Sequence, residues 1–333
     1  MVNRSLRSAC VVLMAFGAVA SLDAAATAQR TFVRSDGHDS NACSLAAPCR
    51  GFAAAMAQTS PGGEVVVLDS AGYGPVVISQ AVTLVAPPGV YAGISVFAGT
   101  GVTVNAGPGN EVTLRGLTIN SLGGTTGIAF NSGDALYIDS VIVSGFSGAG
   151  GIGLNAAPGA ATAGLFIQDS TFRDNAVGLW TTTTSGTLTL EVERAVFERD
   201  SVGAAVQGNV VGSIHASAFI GGATGVAAGS AAQTTKLELR DCTISDNSGA
   251  GVAAIVAATA STTLSVVSSL VSGNAFGLQV ANTGNTIYAS DNTITRNTTG
   301  VSASASATVV SGIDNRLVNN GTDGTFSSSI PKI

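Results

Sequence analysis

The chain has 333 residues, of which 45% are hydrophobic and 10% charged, and its formal net charge is −6. Its 43 glycines and its two lysines disfavour helical bundles and coiled coils and favour β structure with many tight turns. Because no cluster of Lys and Arg exists to follow a phosphate backbone, nucleic-acid binding is disfavoured, and the evenly spread apolar residues argue against disorder.

Residues 1–28 have the pattern of a secretory signal peptide. Two arginines give a basic start, residues 9–20 form a short apolar segment, and residues 26–28 offer an A-x-A cleavage site. A membrane anchor is the alternative, but the apolar run is short for a bilayer and is soon interrupted by Asp23. We therefore predict bacterial-type export, to the periplasm or outside the cell, with no membrane span after cleavage.

The segment 29–62 is expected to cap one end of a repeat domain. Cys43 and Cys49 bracket a short loop and are expected to form a disulfide in an oxidising compartment. The next stretch of the chain places Phe52 and Met56 at helical spacing, which predicts a short amphipathic helix. Such a helix would cover the first turn of the repeat and protect its exposed edge.

A repeat of roughly 25 residues fills the rest of the chain, and the repeat domain is expected to span residues 63–325. In the four strongest copies the first and eighth positions are apolar, the eleventh is Asn, and a Gly-aliphatic pair comes after it. With the weaker copies, the starting residues are 112, 136, 165, 190, 212, 237, 264, 287 and 310. The eighth positions are all apolar: Ile119, Val143, Phe172, Phe197, Phe219, Ile244, Val271, Ile294 and Leu317.

Each copy of the repeat reads as one coil of three short strands. Alternating apolar residues, such as Leu136 and Ile138, predict a half-buried first strand; a second strand crosses the eighth position, and a third comes after the glycine. Coils of such variable length predict an all-β right-handed parallel β-helix rather than a left-handed one. The Gly-Val-rich second half of each copy leaves little room for the helix of a leucine-rich repeat. We expect stacked Asn side chains to form an amide ladder and Cys242 to be a buried core residue.

These features resemble the right-handed parallel β-helix proteins of the pectate-lyase-like superfamily. The cysteine-containing stretch 36–65, with VTLRGLTI at 112–119, looks like a group of exported bacterial β-helix proteins of unassigned function. The resemblance covers nearly the whole mature chain and implies the fold. It also implies that enzymes on acidic polysaccharides are relatives, but their motifs do not occur: there is no Asp-Asp pair, and His38 and His215 lie outside a Gly-His-Gly segment.

Adjacent coils of such a solenoid lie about 4.8 Å apart, so equivalent positions form columns. Opposite charges are expected to meet between adjacent coils at four places: Arg115 with Asp139, Asp169 with Arg194, Arg173 with Glu198, and Asp174 with Arg199. Each surface pair contributes about 0–1 kcal/mol. Since glycosidases and calcium sites need carboxylates without such partners, the pattern indicates a stabilising stripe rather than a catalytic centre.

One face of the first strands combines aromatic and acidic side chains. Tyr137, Phe166, Gln168 and Glu191 are expected to point outward there, and they are the predicted ligand-binding residues because exposed rings can stack on sugar rings. The sequence therefore predicts a non-catalytic protein with a structural, adhesive or glycan-contacting role. Its expected partner is a polysaccharide or a cell-surface glycan.

The alternative is a divergent polysaccharide lyase or glycoside hydrolase that acts on an acidic polysaccharide. Its catalytic residues would be Asp139 and Glu193, with Arg115 beside them. The two carboxylates would lie two coils apart, roughly 9–10 Å, near the upper limit for an inverting pair. The acidic residues and histidine at 36–39 suit a polar turn better than a metal site, and no metal or other cofactor is predicted.

Overall fold

The computed structural model describes five segments of the chain, namely residues 27–159, 162–183, 185–230, 232–255 and 260–331. Nearly all of the predicted signal peptide lies outside these residues. Within them, no helix is long and apolar enough to cross a membrane.

The described residues form one short helix and a regular succession of short strands. The helix is α1 (Phe52–Gln58). In chain order the strands are β1 (Ala28–Val33), β2 (Thr59–Val67), β3 (Ala71–Gly72), β4 (Val76–Ile78), β5 (Val82–Val85), β6 (Ala92–Val96), β7 (Thr100–Asn105), β8 (Glu111–Arg115), β9 (Leu117–Ser121), β10 (Thr126–Ser132), β11 (Ala135–Asp139), β12 (Ile142–Ser144), β13 (Ile152–Ala156), β14 (Ala163–Gln168), β15 (Thr171–Arg173), β16 (Val177–Thr181) and β17 (Leu188–Glu193). They continue as β18 (Val196–Glu198), β19 (Val202–Val206), β20 (Val210–His215), β21 (Ala218–Ile220), β22 (Thr224–Ala228), β23 (Thr235–Arg240), β24 (Thr243–Ser245), β25 (Ala250–Ala254), β26 (Thr262–Val267), β27 (Leu270–Ser272), β28 (Phe276–Val280), β29 (Asn285–Ser290), β30 (Thr293–Thr295), β31 (Thr299–Ala303), β32 (Thr308–Gly312), β33 (Arg316–Val318) and β34 (Ser328–Ile330).

Three parallel sheets run the length of the molecule, and each coil adds one strand to each of them. Sheet A has 13 strands in the order β1-β2-β5-β8-β11-β14-β17-β20-β23-β26-β29-β32-β34. Sheet B has 11 strands, from β3 to β33, and sheet C has 10, from β4 to β31. Because strands three elements apart are neighbours in a sheet, the chain winds as a parallel β-helix, as the repeat predicts.

The eighth positions of the repeat form a single column in sheet B. The strand register aligns each of them with the next, from Ile119 to Leu317 without a break. At the centre of the column, the rings of Phe172 and Phe197 stack with centroids 5.0 Å apart, and those of Phe197 and Phe219 stack at 4.7 Å. The predicted stacking of coils is therefore confirmed, and it places equivalent side chains directly above one another.

The last copy of the repeat begins one residue earlier than predicted. Ile287 of β29 is aligned with Val309, whereas Val310 is aligned with the outward-facing Tyr288. The predicted start at residue 310 is thus wrong. One extra residue between β32 and β33 restores the register, so that Leu317 still lies beside Ile294.

The predicted amide ladder is present inside the solenoid. The side-chain Nδ2 of Asn247 donates to Oδ1 of Asn274 at 2.9 Å, Asn274 donates to Asn297 at 3.0 Å, and Asn297 donates to Asn320 at 3.0 Å. Each Nδ2 also donates to the carbonyl oxygen of an eighth-position residue one coil back, such as Phe219 for Asn247. The ladder therefore satisfies buried polar groups that would otherwise cost free energy.

A second buried ladder, which the sequence pattern did not reveal, runs along the bend between sheets A and B. Oδ1 of Asn292 accepts the backbone N–H of Ser269, and Asn292 Nδ2 donates to Asn315 Oδ1 at 2.9 Å. Cys242 belongs to the same column; it is buried, as predicted, and its N–H donates to the Ser269 hydroxyl. Mixed Ser, Cys and Asn identities at this position hide the column in the sequence.

The N-terminal segment closes one end of the solenoid. In α1 the side chains of Phe52 and Met56 are buried, and the Phe52 ring contacts the Tyr73 ring at a centroid distance of 5.4 Å. Cys43 and Cys49 form a disulfide in the loop before the helix. Sheet A extends beyond the predicted limits 63–325 at both ends, because β1 pairs with β2 and β34 pairs with β32.

Candidate functional site

A shallow groove of about 450 Å³ lies on the outer face of sheet A, across β8, β11, β14 and β17. We call it the sheet A groove. Every residue predicted from the sequence to bind ligand or to act in catalysis lines it. Its outward-facing side chains are Thr113, Arg115, Tyr137, Asp139, Phe166, Gln168, Glu191 and Glu193.

Strand register sorts these side chains into two parallel rows. The second positions of successive coils, from Thr113 to Glu191, form one row, and the fourth positions, from Arg115 to Glu193, form the other. Side chains in a row are about 4.8 Å apart, and the rows are about 7 Å apart because two residues of strand separate them. The third positions point into the core, so backbone forms the floor of the groove.

Two aromatic rings dominate the first row. Tyr137 and Phe166 stack with centroids 4.8 Å apart and planes 12° from parallel, and both side chains are half-buried. Gly164 makes room for this arrangement, since a Cβ there would lie 2.5 Å from Cε2 of Phe166. The glycine precedes the ring by two residues on the same strand face, a signal that was present in the sequence but not used.

Ion pairs hold the carboxylates of the second row. Arg115 Nε donates to Asp139 Oδ2 at 2.8 Å, and the Ser140 hydroxyl donates to the other oxygen of Asp139. Glu193 accepts a hydrogen bond from Arg194. Asp139 and Glu193 are aligned two strands apart, so they are about 10 Å apart by strand spacing.

Glu191 differs from the other carboxylates of the groove. It is exposed, it is aligned with Phe166 on the neighbouring strand, and it forms no ion pair within the described part of the chain. Glu191 is the last side chain of the first row, on β17. The groove therefore has an acidic end whose charge is not neutralised by an adjacent cation.

Three of the four predicted charge pairs between coils are formed. Arg115 binds Asp139, Arg199 binds Asp174, and Arg194 binds both carboxylate oxygens of Asp169 at 2.7 and 2.9 Å. The hydrogen bond from Arg194 lowers the pKa of Asp169 below its usual range. These exposed pairs stabilise the outer surface of the coils by small amounts.

The fourth predicted pair, Arg173 with Glu198, is wrong. The two residues are aligned on β15 and β18, but Arg173 donates to Asp174 at 3.2 Å and Glu198 accepts from Arg199. Register fixes which residues are neighbours, whereas long side chains choose among several nearby partners. Asp174, at the bend after β15, binds both Arg173 and Arg199. Arg173 therefore pairs with Asp174 instead of Glu198.

The polar residues at 36–39 form a turn rather than a cluster of metal ligands. Asp36 pairs with Arg34, and Asp39 accepts the backbone N–H groups of Arg50 and Gly51 at 2.8 and 2.9 Å. Across the described residues, no group of three or more His, Cys, Asp or Glu side chains is arranged to hold a metal ion. The acidic side chains of this turn have a structural use.

Comparison with known protein families identifies the fold. The family model described as "Right handed beta helix region" matches residues 100–294 and 184–329. The chain belongs to this family. The match confirms the right-handed parallel β-helix that the repeat predicts.

Comparisons with individual proteins add little beyond the fold. The crystal structure of pectate lyase Pel9A is similar to this chain at 15% identity, covering 92% of this chain and 80% of that one, with a TM-score of 0.41. No curated protein matches the chain.

Proposed function

We propose that this protein is a non-catalytic β-helix module that binds a glycan in the sheet A groove, in a structural or adhesive role. The observation that carries the proposal is the stacked pair of Tyr137 and Phe166 beside a row of polar side chains. We place the protein in the periplasm or outside the cell. The signal-like residues 1–28 and the Cys43–Cys49 disulfide support that location.

The two rows of the groove match the two kinds of surface on a sugar ring. A pyranose has apolar C–H faces, which pack on aromatic rings, and hydroxyl groups around its edge, which need hydrogen-bond partners. Tyr137 and Phe166 offer the apolar contact, while Gln168 can donate and accept hydrogen bonds across a floor about 7 Å wide.

The arrangement of charges supports binding without turnover. A hydrolase needs one carboxylic acid that keeps its proton, and a lyase needs a base and a group that neutralises the substrate carboxylate. Asp139 and Glu193 are instead each held by an arginine. The alternative, a divergent lyase or hydrolase that uses these residues, therefore has weaker support than a binding module.

Alanine in place of Tyr137 or Phe166 is expected to weaken glycan binding about tenfold, equivalent to about 1.4 kcal/mol, because each ring offers an apolar stacking surface. The measurement is calorimetric titration with an oligosaccharide selected by screening the purified protein against a glycan array. Tyr91→Ala is the matched control, since Tyr91 is 49% exposed and lies outside the groove. Equal affinities for all three variants and the unaltered protein would contradict the proposed site.

A further inference from the structure

The charges that line the sheet A groove point to the class of glycan that it accepts. Resting on the proposed glycan-binding function, we infer that the groove binds a glycan whose amino sugars carry free, protonated amino groups and disfavours polyuronates. The relevant feature is Glu191, which lies beside the Phe166 ring and forms no ion pair with any residue that the structure describes.

The lining of the groove is negatively charged. It contains three carboxylates, on Asp139, Glu191 and Glu193, and a single guanidinium, on Arg115. That guanidinium is already engaged by Asp139. The groove therefore presents no cation that is free to receive the carboxylate of a uronic acid.

The neighbouring guanidinium of Arg194 does not change this balance. Arg194 lies next to Glu193, but it binds both oxygens of Asp169 and also donates to Glu193. One arginine is thus shared between two carboxylates. A polyuronate laid along the groove would bring its own negative charges against Glu191, which opposes binding at low salt.

A positively charged sugar finds two favourable contacts at the same place. Phe166 and Glu191 are aligned on adjacent strands, so their side chains start about 4.8 Å apart. A sugar that packs on the aromatic row has its substituents within reach of Glu191. A protonated amino group there gains an ion pair with the carboxylate and an attraction to the electron-rich ring.

Three oligosaccharides of equal length separate the possibilities: a glucosamine oligomer, its fully N-acetylated form and a galacturonate oligomer. Affinity for the full chain is measured by calorimetry at mildly acidic pH, where the amino groups are protonated and glutamate is ionised. We expect the strongest binding by the glucosamine oligomer and the weakest by the galacturonate oligomer. The preference for the glucosamine oligomer over the N-acetylated one should disappear at high salt.

Glu191→Gln is expected to lower the affinity for the glucosamine oligomer about three- to fivefold, the size typical of an exposed ion pair. The matched control is Glu111→Gln, which removes the same charge from an exposed site on β8, three coils away and outside the groove lining. The control variant should keep the full preference. Circular dichroism checks that both variants fold.

The outcomes distinguish the inference from the proposed function. Equal affinity for the three oligomers, or tighter binding of the galacturonate oligomer, overturns the inference. If Tyr137→Ala weakens the binding that is observed, the proposed glycan site is still upheld. Loss of the preference in Glu111→Gln as well as in Glu191→Gln also overturns it, because the effect would then be one of net charge. If none of the three binds, both the inference and the proposed function fail.

Discussion

Replacing Phe197 with alanine is expected to lower the free energy of unfolding by about 3–5 kcal/mol. The Phe197 side chain is 1% exposed and stacks on Phe172 and Phe219, one coil on either side. Its removal leaves a cavity and ends two ring contacts in the interior of the solenoid. Chemical denaturation monitored by circular dichroism measures the change.

The matched control for this substitution is Phe97→Ala, since Phe97 is 71% exposed. This substitution removes the same atoms from a surface position, and we expect it to change the free energy of unfolding by no more than about 0.5 kcal/mol. Comparable effects for the two variants would contradict the stacked column of aromatic rings. The contrast therefore tests the register of sheet B as well as the burial of one residue.

Asp200→Asn is expected to stabilise the protein at neutral and alkaline pH by about 2–4 kcal/mol. Asp200 is 2% exposed and occupies the column that holds Asn in the strongest copies of the repeat. Its Oδ1 accepts two hydrogen bonds from Asn175, but its Oδ2 finds no partner among the described residues. Asparagine would supply an Nδ2 donor, the group that binds a carbonyl oxygen one coil back elsewhere in this column.

The raised pKa of Asp200 determines the sign of the pH dependence. Burial raises the pKa of Asp200 from its usual 3.8 to about 7. Between these values the folded protein holds a proton that the unfolded chain has released, so this residue's contribution to stability falls as the pH rises through the window. Below about pH 4 the contribution is fully present, and above about pH 7 it has been lost.

Unfolding free energies measured from about pH 4 to about pH 8 test this prediction. Relative to the unaltered protein, Asp200→Asn should lack the decline across that range, whereas Asp246→Asn, an exposed substitution in the equivalent turn two coils away, should retain it. Identical pH profiles for the unaltered protein and Asp200→Asn would show that the buried carboxyl does not control the decline. Gly222, the next residue of this column, has no side chain, so the amide ladder is interrupted between Asp200 and Asn247.

The sequence predicted the fold and the members of the candidate site because both depend on register. Once the apolar eighth positions are aligned, the outward positions of adjacent coils must also align, which brings Tyr137 beside Phe166 and Arg115 beside Asp139. The groove is a direct consequence of that alignment. A period of about two dozen residues that repeats many times leaves little freedom for alternative pairings.

Features that depend on local choices were not predictable in the same way. The pairing of Arg173 with Asp174 instead of Glu198 reflects competition among flexible side chains within one turn. The late shift of register before Leu317 depends on a single extra residue in a bend. The stacked geometry of Phe166 needs Gly164 beneath the ring. Aligning the apolar eighth positions of the repeat does not predict that contact.

The central claim, that the sheet A groove binds a glycan without cleaving it, is tested most directly by recovering the ligand after binding. The purified protein is incubated with a saturating oligosaccharide, and the ligand is analysed by mass spectrometry, ultraviolet absorbance and reducing-end assay. We expect a complex from which the intact oligosaccharide is recovered. Unsaturated products or new reducing ends that disappear in Asp139→Ala or Glu193→Ala would show that the groove is an active site.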